Sequence, residues 1–387
     1  MKKVLLIHTR YTETGGEDIA VNKELEFLKK FYNLETLIFQ NTLTPNLQDI
    51  FAFVRNNNKD SVIKAKELIS KFEPDYVYIH NLWFKGSLGI LKFVIENNIN
   101  TTIKVHNFRY YCTQSFWTSS HLQGETMCGA CGLQVENVGY FNKYFNNSIL
   151  KSILAIYFGK KYFKLLNSEK IKILTLTEHH RNILLNKGIM KNKIFVQPNP
   201  VPHLINFDYQ SNNKLNQIVY AGRVSKEKGI LELISVWKKL NTKNYKLIII
   251  GEGPLFEELK HTLNQNDSIS LTGSKDNQEV LNIINESKAV VTATKLFEGQ
   301  PTLLCEASAL TTLCVFPDTG GIKEFFDENY EFSFEQYNYA NLQEKLQVII
   351  DSDELESVGF ELRNYILKYL DETKLQTNLE KIFKLSI

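Results

Sequence analysis

The sequence lacks an uninterrupted apolar run of about 18 residues, the length that a membrane-spanning helix requires. It has only five cysteines in 387 residues and no charged-then-apolar leader. We therefore expect a cytoplasmic protein rather than a secreted one with a disulfide framework. Net charge is also small, because 45 Lys and Arg face 43 Asp and Glu, and nothing drives the whole chain towards nucleic acid. Any membrane contact would be peripheral, on the inner face of the cell membrane.

Two domains are expected from the length of the chain and from its pattern of elements. Short apolar, β-branched runs alternate with helical spacing, which is typical of α/β domains with parallel sheets. In the first half the predicted strands are Val4–His8, Leu34–Phe39, Asp75–His80, Thr101–His106, Lys172–Thr177 and Ile194–Gln197. In the second half they are Ile218–Ala221, Lys246–Ile250, Ile269–Thr272, Ala289–Thr294 and Leu313–Phe316.

A proline-rich stretch at Pro198–Pro202 separates the two series and is the best candidate for a linker. We therefore predict an α/β protein of two Rossmann-like, doubly wound domains that face each other across a cleft. The N-terminal domain would comprise residues 1–205, with a final helix at about 367–387 packing back on it. The C-terminal domain would comprise residues 206–366.

Two carboxylates, Glu298 and Glu306, lie eight residues apart across a loop and the predicted start of a helix. Pro301 fits the first helical position, and the N–H groups of a helix start can hold phosphate. One elongated ligand could therefore meet a carboxylate at each end and backbone amides between them. The alternative is that Glu298 is an exposed loop acid and Glu306 a solvated helix residue.

Two cations, Arg223 and Lys228, follow the first strand of the second half. Both can converge on one anion, and a diphosphate suits them well; the alternative is a solvated basic loop. The next strand ends in Gly251-Glu252-Gly253-Pro254, which begins like a dinucleotide-binding fingerprint. Because Phe256 stands where the third glycine would be, an NAD-dependent oxidoreductase is disfavoured.

Seven motifs occur in order along the chain: Gly15-Gly16-Glu17, Val105-His106-Asn107-Phe108-Arg109, Arg223…Lys228, Gly251-Glu252-Gly253-Pro254, Gly273, Glu298-x7-Glu306 and Gly320-Gly321-Ile322-Lys323-Glu324. This order resembles the retaining glycosyltransferases of family 4, which have the GT-B fold, and is similar to those of bacterial cell-surface polysaccharide synthesis. The resemblance covers nearly the whole chain. The alternatives are that the glycine pair is only a turn and that His106 is a satisfied strand-end histidine.

The resemblance implies a hexosyl- or N-acetylhexosaminyltransferase that retains the anomeric configuration and needs no cofactor or divalent metal. It would move a sugar from a nucleotide diphosphate donor, bound by the C-terminal domain, to a glycan or lipid-linked acceptor on the N-terminal domain. Glu298 and His106 would be catalytic. Donor-binding residues would be Gly15, Gly16, Arg223, Lys228, Gly253, Gly273, Ser274, Gly299, Gln300, Pro301, Thr302, Leu303 and Glu306. The alternative function is a non-catalytic nucleotide-sugar-binding subunit of a glycan assembly complex.

Two further features stand apart from these motifs. Cys112, Cys128 and Cys131 form a partial zinc pattern, to which His106 or His121 could add a fourth ligand; a labile disulfide and plain thiols are the alternatives. Residues 143–172 contain seven lysines and one glutamate, interleaved with apolar and aromatic residues. Such a surface can rest on anionic lipid, although an amphipathic helix pair packed on its own domain would look the same.

Overall fold

The computed structural model describes residues 1–12, 15–110, 148–201, 214–263, 268–352 and 354–385. The chain divides into two compact units, Met1–Pro200 with Glu372–Ile387, and Val201–Asp371. Each unit contains one six-stranded parallel sheet flanked by helices. The predicted α/β fold with two Rossmann-like sheets is therefore confirmed.

The first unit has the strand order β2-β1-β3-β4-β5-β6. Its strands are β1 (Lys3–Arg10), β2 (Asn33–Gln40), β3 (Tyr76–Ile79), β4 (Thr101–Val105), β5 (Ile171–Thr175) and β6 (Ile194–Val196). Its described helices are α1 (Gly16–Phe31), α2 (Leu47–Arg55), α3 (Lys59–Phe72), α4 (Leu88–Glu96), α5 (Ile149–Leu166) and α6 (Glu178–Asn186). The central strands are fully buried because helices cover a parallel sheet on both faces.

The second unit has the strand order β12-β11-β10-β7-β8-β9. Its strands are β7 (Leu215–Ala221), β8 (Lys246–Ile250), β9 (Ile269–Gly273), β10 (Ser287–Val291), β11 (Leu313–Asp318) and β12 (Ser333–Glu335). Its described helices are α7 (Ile230–Trp237), α8 (Phe256–Leu263), α9 (Asn277–Asn285), α10 (Thr302–Ala309), α11 (Tyr339–Asp351) and α12 (Glu356–Tyr369). Parallel strands bring the loops that follow them to one edge of the sheet.

A last helix, α13 (Glu372–Lys384), groups with the first unit. The Phe383 ring stacks on Tyr76 of β3 with 4.9 Å between ring centroids, and Lys172 Nζ donates to the Phe383 carbonyl at 2.8 Å. Gln197 Nε2 also donates to the carbonyl of Leu375 at 3.1 Å. Both apolar packing and hydrogen bonds to buried groups therefore fix this helix.

Some element boundaries differ from the sequence prediction. The strand predicted at Ala289–Thr294 begins earlier and ends at Val291, which leaves Thr294 in the loop that follows. The short edge strand β12 was not predicted from the sequence. No helix in the described parts of the chain is long and apolar enough to cross a membrane.

Candidate functional site

Lys228 and Glu298 meet at the carboxyl edge of the second sheet. Lys228 ends a 3₁₀ turn in the loop after β7, and Glu298 lies in the loop between β10 and α10. Lys228 Nζ lies 2.5 Å from Glu298 Oε1, and the two side chains are 31% and 29% exposed. The sequence motifs assign each to a different part of a ligand, whereas here they contact each other directly.

Two glycines allow this approach because they fit where a larger residue would collide. Gly229 has φ +71°, and an added Cβ would lie 1.9 Å from the carbonyl oxygen of Ala293 in the loop after β10. Gly320 has φ +59°, and its added Cβ would lie 2.3 Å from the Glu298 carbonyl oxygen. The Gly321 amide also donates to that carbonyl at 2.9 Å. The backbone of Glu298 is thus held from the loop after β11.

Further polar groups surround the Glu298 carboxylate. Thr294 Oγ1 donates to Glu298 Oε1 at 3.0 Å, and Tyr220 donates its hydroxyl to the Arg223 carbonyl at 2.8 Å. Burial raises the pKa of Tyr220, and the charge of Glu298 adds to that rise. Thr294 and Tyr220 were not predicted as part of the site, because a threonine in a loop and a tyrosine within a strand carry no functional signal of their own.

Glu306 lies inside α10 and is almost completely buried. It is therefore not the solvated helix residue of the alternative interpretation. The predicted place of Pro301 was wrong by one residue: α10 begins at Thr302, and Pro301 is its N-cap, with non-helical ψ of 79°. The Pro301 carbonyl accepts from the Cys305 amide at 3.0 Å, and the helix start has no side-chain cap.

The remaining predicted donor residues of the second unit lie in linked loops of the same sheet edge. The Gly251 amide donates to the Gly273 carbonyl at 2.9 Å, and the Val224 amide donates to the Glu252 carbonyl at the same distance. These bonds join the loops after β7, β8 and β9. Partly or fully exposed positions at this edge are Arg223, Gly253, Ser274, Gly299, Gln300, Thr302 and Leu303.

In the first unit, His106 follows β4 and pairs with His80, which follows β3. His80 Nδ1 lies 2.8 Å from His106 Nε2. Burial, with the nearby charge of Lys104 adding to it, lowers the pKa of both rings well below the usual value, so each carries one ring proton at neutral pH. His80 Nε2 is buried without a hydrogen-bond partner, which favours the tautomer with the His80 proton on Nδ1. His106 Nε2 then accepts, and the His106 proton lies on Nδ1.

A small cavity opens beside this histidine pair. His80, His106, Asn107 and Arg109 contribute to its lining. The Arg109 guanidinium lies 3.8 Å over the centre of the Trp83 ring. Stacking of this kind fixes a cation without neutralising it, so the cavity offers hydrogen-bond donors and one positive charge.

The predicted glycine loop of the first unit lies at the start of α1. Gly15 is the N-cap and Gly16 the first helical residue, and Cβ atoms added to either would meet nothing within 4 Å. Its neighbour Glu17 accepts from Tyr11 Oη at 2.8 Å and from Asn107 Nδ2 at 3.0 Å. Burial raises the pKa of Glu17. Asn107 therefore binds this carboxyl group rather than the His106 ring.

The predicted zinc ligands Cys112, Cys128 and Cys131 lie outside the described residues. Within the described ranges, no cluster of three or more His, Cys, Asp or Glu side chains is arranged to hold a metal ion. The sequence does contain one Asp-x-Asp pattern, at Asp351-Ser352-Asp353. Asp351 ends α11 and pairs with Lys243 Nζ at 2.8 Å, so its carboxylate does not belong to the loops that carry Lys228 and Glu298.

Comparison with known proteins gives matches over both parts of the chain. Residues 204–369 match the family model described as glycosyl transferases group 1. Among curated proteins, the amylovoran biosynthesis glycosyltransferase AmsD of Erwinia amylovora is 28% identical over 195 residues, 48% of this chain and 54% of that protein. The capsular polysaccharide biosynthesis glycosyltransferase CapM of Staphylococcus aureus is 27% identical over 255 residues, 58% of this chain. The match covers 66% of CapM, so this chain aligns with about half to two thirds of these relatives.

One solved structure extends the similarity to the whole chain. Anabaena Alr3699/HepE in complex with UDP-glucose superposes with a TM-score of 0.66 over 99% of this chain and 100% of that one. The two sequences are 12% identical, so this likeness concerns the fold.

Proposed function

We infer that the protein is a glycosyltransferase, because residues 204–369 match the glycosyl transferases group 1 model and the chain has the GT-B fold. The donor is a nucleotide diphosphate sugar and the acceptor a glycan or a lipid-linked glycan. The names of AmsD and CapM support a place in cell-surface polysaccharide synthesis, and the UDP-glucose complex of Alr3699/HepE supports this class of donor. The transferred group is a hexosyl or N-acetylhexosaminyl unit.

The contact between Lys228 and Glu298 is the observation that carries this proposal. A carboxylate accepts hydrogen bonds from neighbouring sugar hydroxyls, while an ammonium group holds a phosphate oxygen. Their separation of 2.5 Å places both chemistries at one point of the sheet edge, beside the loop of Arg223 and the uncapped start of α10. A sugar diphosphate needs these two kinds of group side by side.

We assign the transfer to a same-face displacement that retains the anomeric configuration. The bond between the anomeric carbon and the diphosphate oxygen breaks, and the acceptor oxygen bonds to that carbon on the same face. The acceptor proton moves to the departing phosphate oxygen, and the nucleoside diphosphate leaves. In this scheme Glu298 orients the sugar and stabilises its developing positive charge, while neutral His106 donates a hydrogen bond from Nδ1 and is not a base.

A covalent route is the competing mechanism, in which Glu298 would attack the anomeric carbon. Mass spectrometry after rapid quenching of the enzyme with its donor separates the two. The same-face route gives no glycosyl ester, and an ester on Glu298 would establish the covalent route instead. The anomeric configuration of the product, read by NMR, tests retention itself.

Metal independence follows in this proposal from the cations, since Arg223 and Lys228 supply the charge that Mg²⁺ would otherwise provide. Transfer measured after dialysis against EDTA is expected to stay within about twofold of the untreated rate. Restoration of a lost rate by Mg²⁺ or Mn²⁺ would refute this part of the proposal and leave glycosyl transfer intact.

The alternative, a non-catalytic nucleotide-sugar-binding subunit, makes a different prediction for the same donors. A thermal-shift panel of UDP-, GDP-, ADP- and dTDP-sugars identifies the donor, because a ligand at 100 times its dissociation constant stabilises by about 2.7 kcal/mol. Release of nucleoside diphosphate from the stabilising donor then supports an enzyme. Stabilisation without release, with membrane extracts offered as the source of acceptor, supports the binding subunit.

A further inference from the structure

Helix α2 of the first unit carries its apolar side chains on the outside. Leu47, Ile50, Phe51 and Val54 follow the spacing i, i+3, i+4 and i+7, which places them on one face. They are 72%, 40%, 59% and 39% exposed, in that order. No residue of α2 is buried, although helices of globular proteins normally turn such a face to the core.

Specific contacts hold the opposite face of α2 against the first unit. They fix the orientation in which the apolar side chains point outwards. The Asp49 carboxylate lies 3.6 Å from Lys85 Nζ. The Phe53 ring packs against Trp83 and Phe158, at centroid distances of 5.0 and 5.8 Å. The inward face of α2 therefore carries Asp49 and Phe53, while the face of Leu47, Ile50, Phe51 and Val54 is turned outwards.

Helix α5 extends this surface and adds positive charge. It contacts α2 through Phe158 and through Lys161, whose Nζ donates to the Arg55 carbonyl at 3.2 Å. Leu150, Ile153 and Tyr157 are exposed at the spacing i, i+3 and i+7. Exposed Lys160 and Lys164 lie on the same face, one and two turns after Tyr157. The whole helix, Ile149–Leu166, contains four lysines and no acidic residue.

We propose that the outward face of α2 and the adjoining exposed face of α5 form a membrane-docking surface for anionic lipid. Leucine, isoleucine, phenylalanine and valine on α2 enter the boundary between headgroups and acyl chains, and the lysines of α5 contact the lipid phosphates. The composition of the sequence points to residues 143–172, of which 148–172 are described, but it does not identify α2.

The positive charge of α5 favours an anionic membrane over a second copy of the chain as the partner of this surface. A two-fold symmetric dimer through the same surface would place like patches together, and the lysines of α5 would then approach each other without acidic partners on that helix. An anionic bilayer instead meets the apolar face with acyl chains and the lysines with phosphates.

The test is co-sedimentation of the full chain with vesicles, in the absence of any sugar nucleotide. Vesicles of phosphatidylcholine alone are compared with vesicles that also contain phosphatidylglycerol. Phe51→Ser/Val54→Ser is expected to weaken binding to the anionic vesicles at least tenfold. Lys160→Gln/Lys164→Gln should weaken it about fivefold per lysine removed. The matched control is Phe360→Ser/Val348→Ser, which makes the same substitutions at exposed helical positions of the second unit and should bind like the wild type.

Several results would overturn the proposal. These are no vesicle binding by the wild type, equal binding to both vesicle types, or equal losses in the α2 variant and its control. A dimer in sedimentation equilibrium that Phe51→Ser/Val54→Ser dissolves, without vesicle binding, would assign the surface to a second copy. Because no donor enters the assay, failure here leaves the proposed glycosyl transfer untouched, and circular dichroism of each variant confirms that it is folded.

Discussion

Removal of one partner of the pair between Lys228 and Glu298 should slow sugar transfer strongly. Glu298→Gln keeps the shape of the side chain and removes its charge, and Lys228→Met keeps most of the stem and removes the ammonium. A hydrogen bond to a charged group contributes about 1.5–3 kcal/mol, which corresponds to roughly 10- to 150-fold in kcat/KM. The pair is less than one third exposed, so solvent screens it only in part.

The assay is initial-rate release of nucleoside diphosphate as a function of donor concentration, for both single variants and for the double variant. Because the two side chains touch, their effects should couple by about 0.5–3 kcal/mol in the double-mutant cycle. If either single variant stays within twofold of the wild type, or if the two effects add to within about 0.3 kcal/mol, the shared role is refuted.

The pair formed by Lys295 and Glu232 provides the matched control for this cycle. Its Nζ to Oε1 distance is also 2.5 Å, and its side chains are about as exposed, at 30% and 26%. Glu232→Gln should therefore lower the melting temperature about as much as Glu298→Gln while it leaves kcat/KM within about twofold. An equal loss of activity in both would show that the effect of Glu298→Gln comes from stability rather than from chemistry.

Three further predictions concern backbone fit, protonation and tautomer. Gly229→Ala should lower the free energy of unfolding, measured in urea, by more than Gly188→Ala does. Both glycines have positive φ, but a Cβ at Gly188 meets nothing within 4 Å, so Gly188→Ala should lower that free energy by only about 1 kcal/mol. Burial lowers the pKa of His180 to about 3, so below about pH 6.5 the unfolded chain binds a proton there that the native chain does not. This one residue should make stability fall by up to about 1.4 kcal/mol per pH unit between pH 6 and 4, and His180→Asn should reduce the measured slope by that amount. His80→Asn keeps a hydrogen-bond donor near the position of Nδ1, whereas His80→Leu does not. The ¹⁵N spectra of the His106 ring should therefore show the Nδ1–H tautomer in His80→Asn and a mixture of tautomers in His80→Leu. Only His80→Leu should lower kcat/KM.

The strands and their loops are readable from the sequence because their signals are local. A fully buried parallel strand appears as a continuous apolar run, as Val4–Ile7 does, and the glycines and charges that follow it mark the carboxyl edge. For this reason the sequence alone predicts that the loops of Lys228 and Glu298 lie at one edge of one sheet. Their direct contact is not readable, because it depends on how two loops 70 residues apart fit together.

The histidine pair and the outward face of α2 could not be predicted from the sequence, for different reasons. His80 ends the strand predicted at Asp75–His80, whose pattern explains it as a core residue, and its contact with His106 spans 26 residues of chain. Amphipathic spacing in α2 says that one face is apolar but cannot say which face is turned to the core. The contacts of Asp49 and Phe53 decide that, and they depend on Lys85, Trp83 and Phe158, which lie elsewhere in the chain.

The direct pairing of Lys228 with Glu298 is compatible with the binding of a diphosphate by the same lysine. An ammonium group has three N–H donors, and the Glu298 carboxylate occupies one of them. The pair holds the ammonium in place at the sheet edge before a ligand arrives, which reduces the entropy lost when a phosphate oxygen takes another donor. Glu298→Gln should therefore weaken donor binding as well as transfer, because it releases Lys228. A variant that lowered kcat while the donor bound as tightly as in the wild type would separate the two roles and assign Glu298 to the reacting sugar alone.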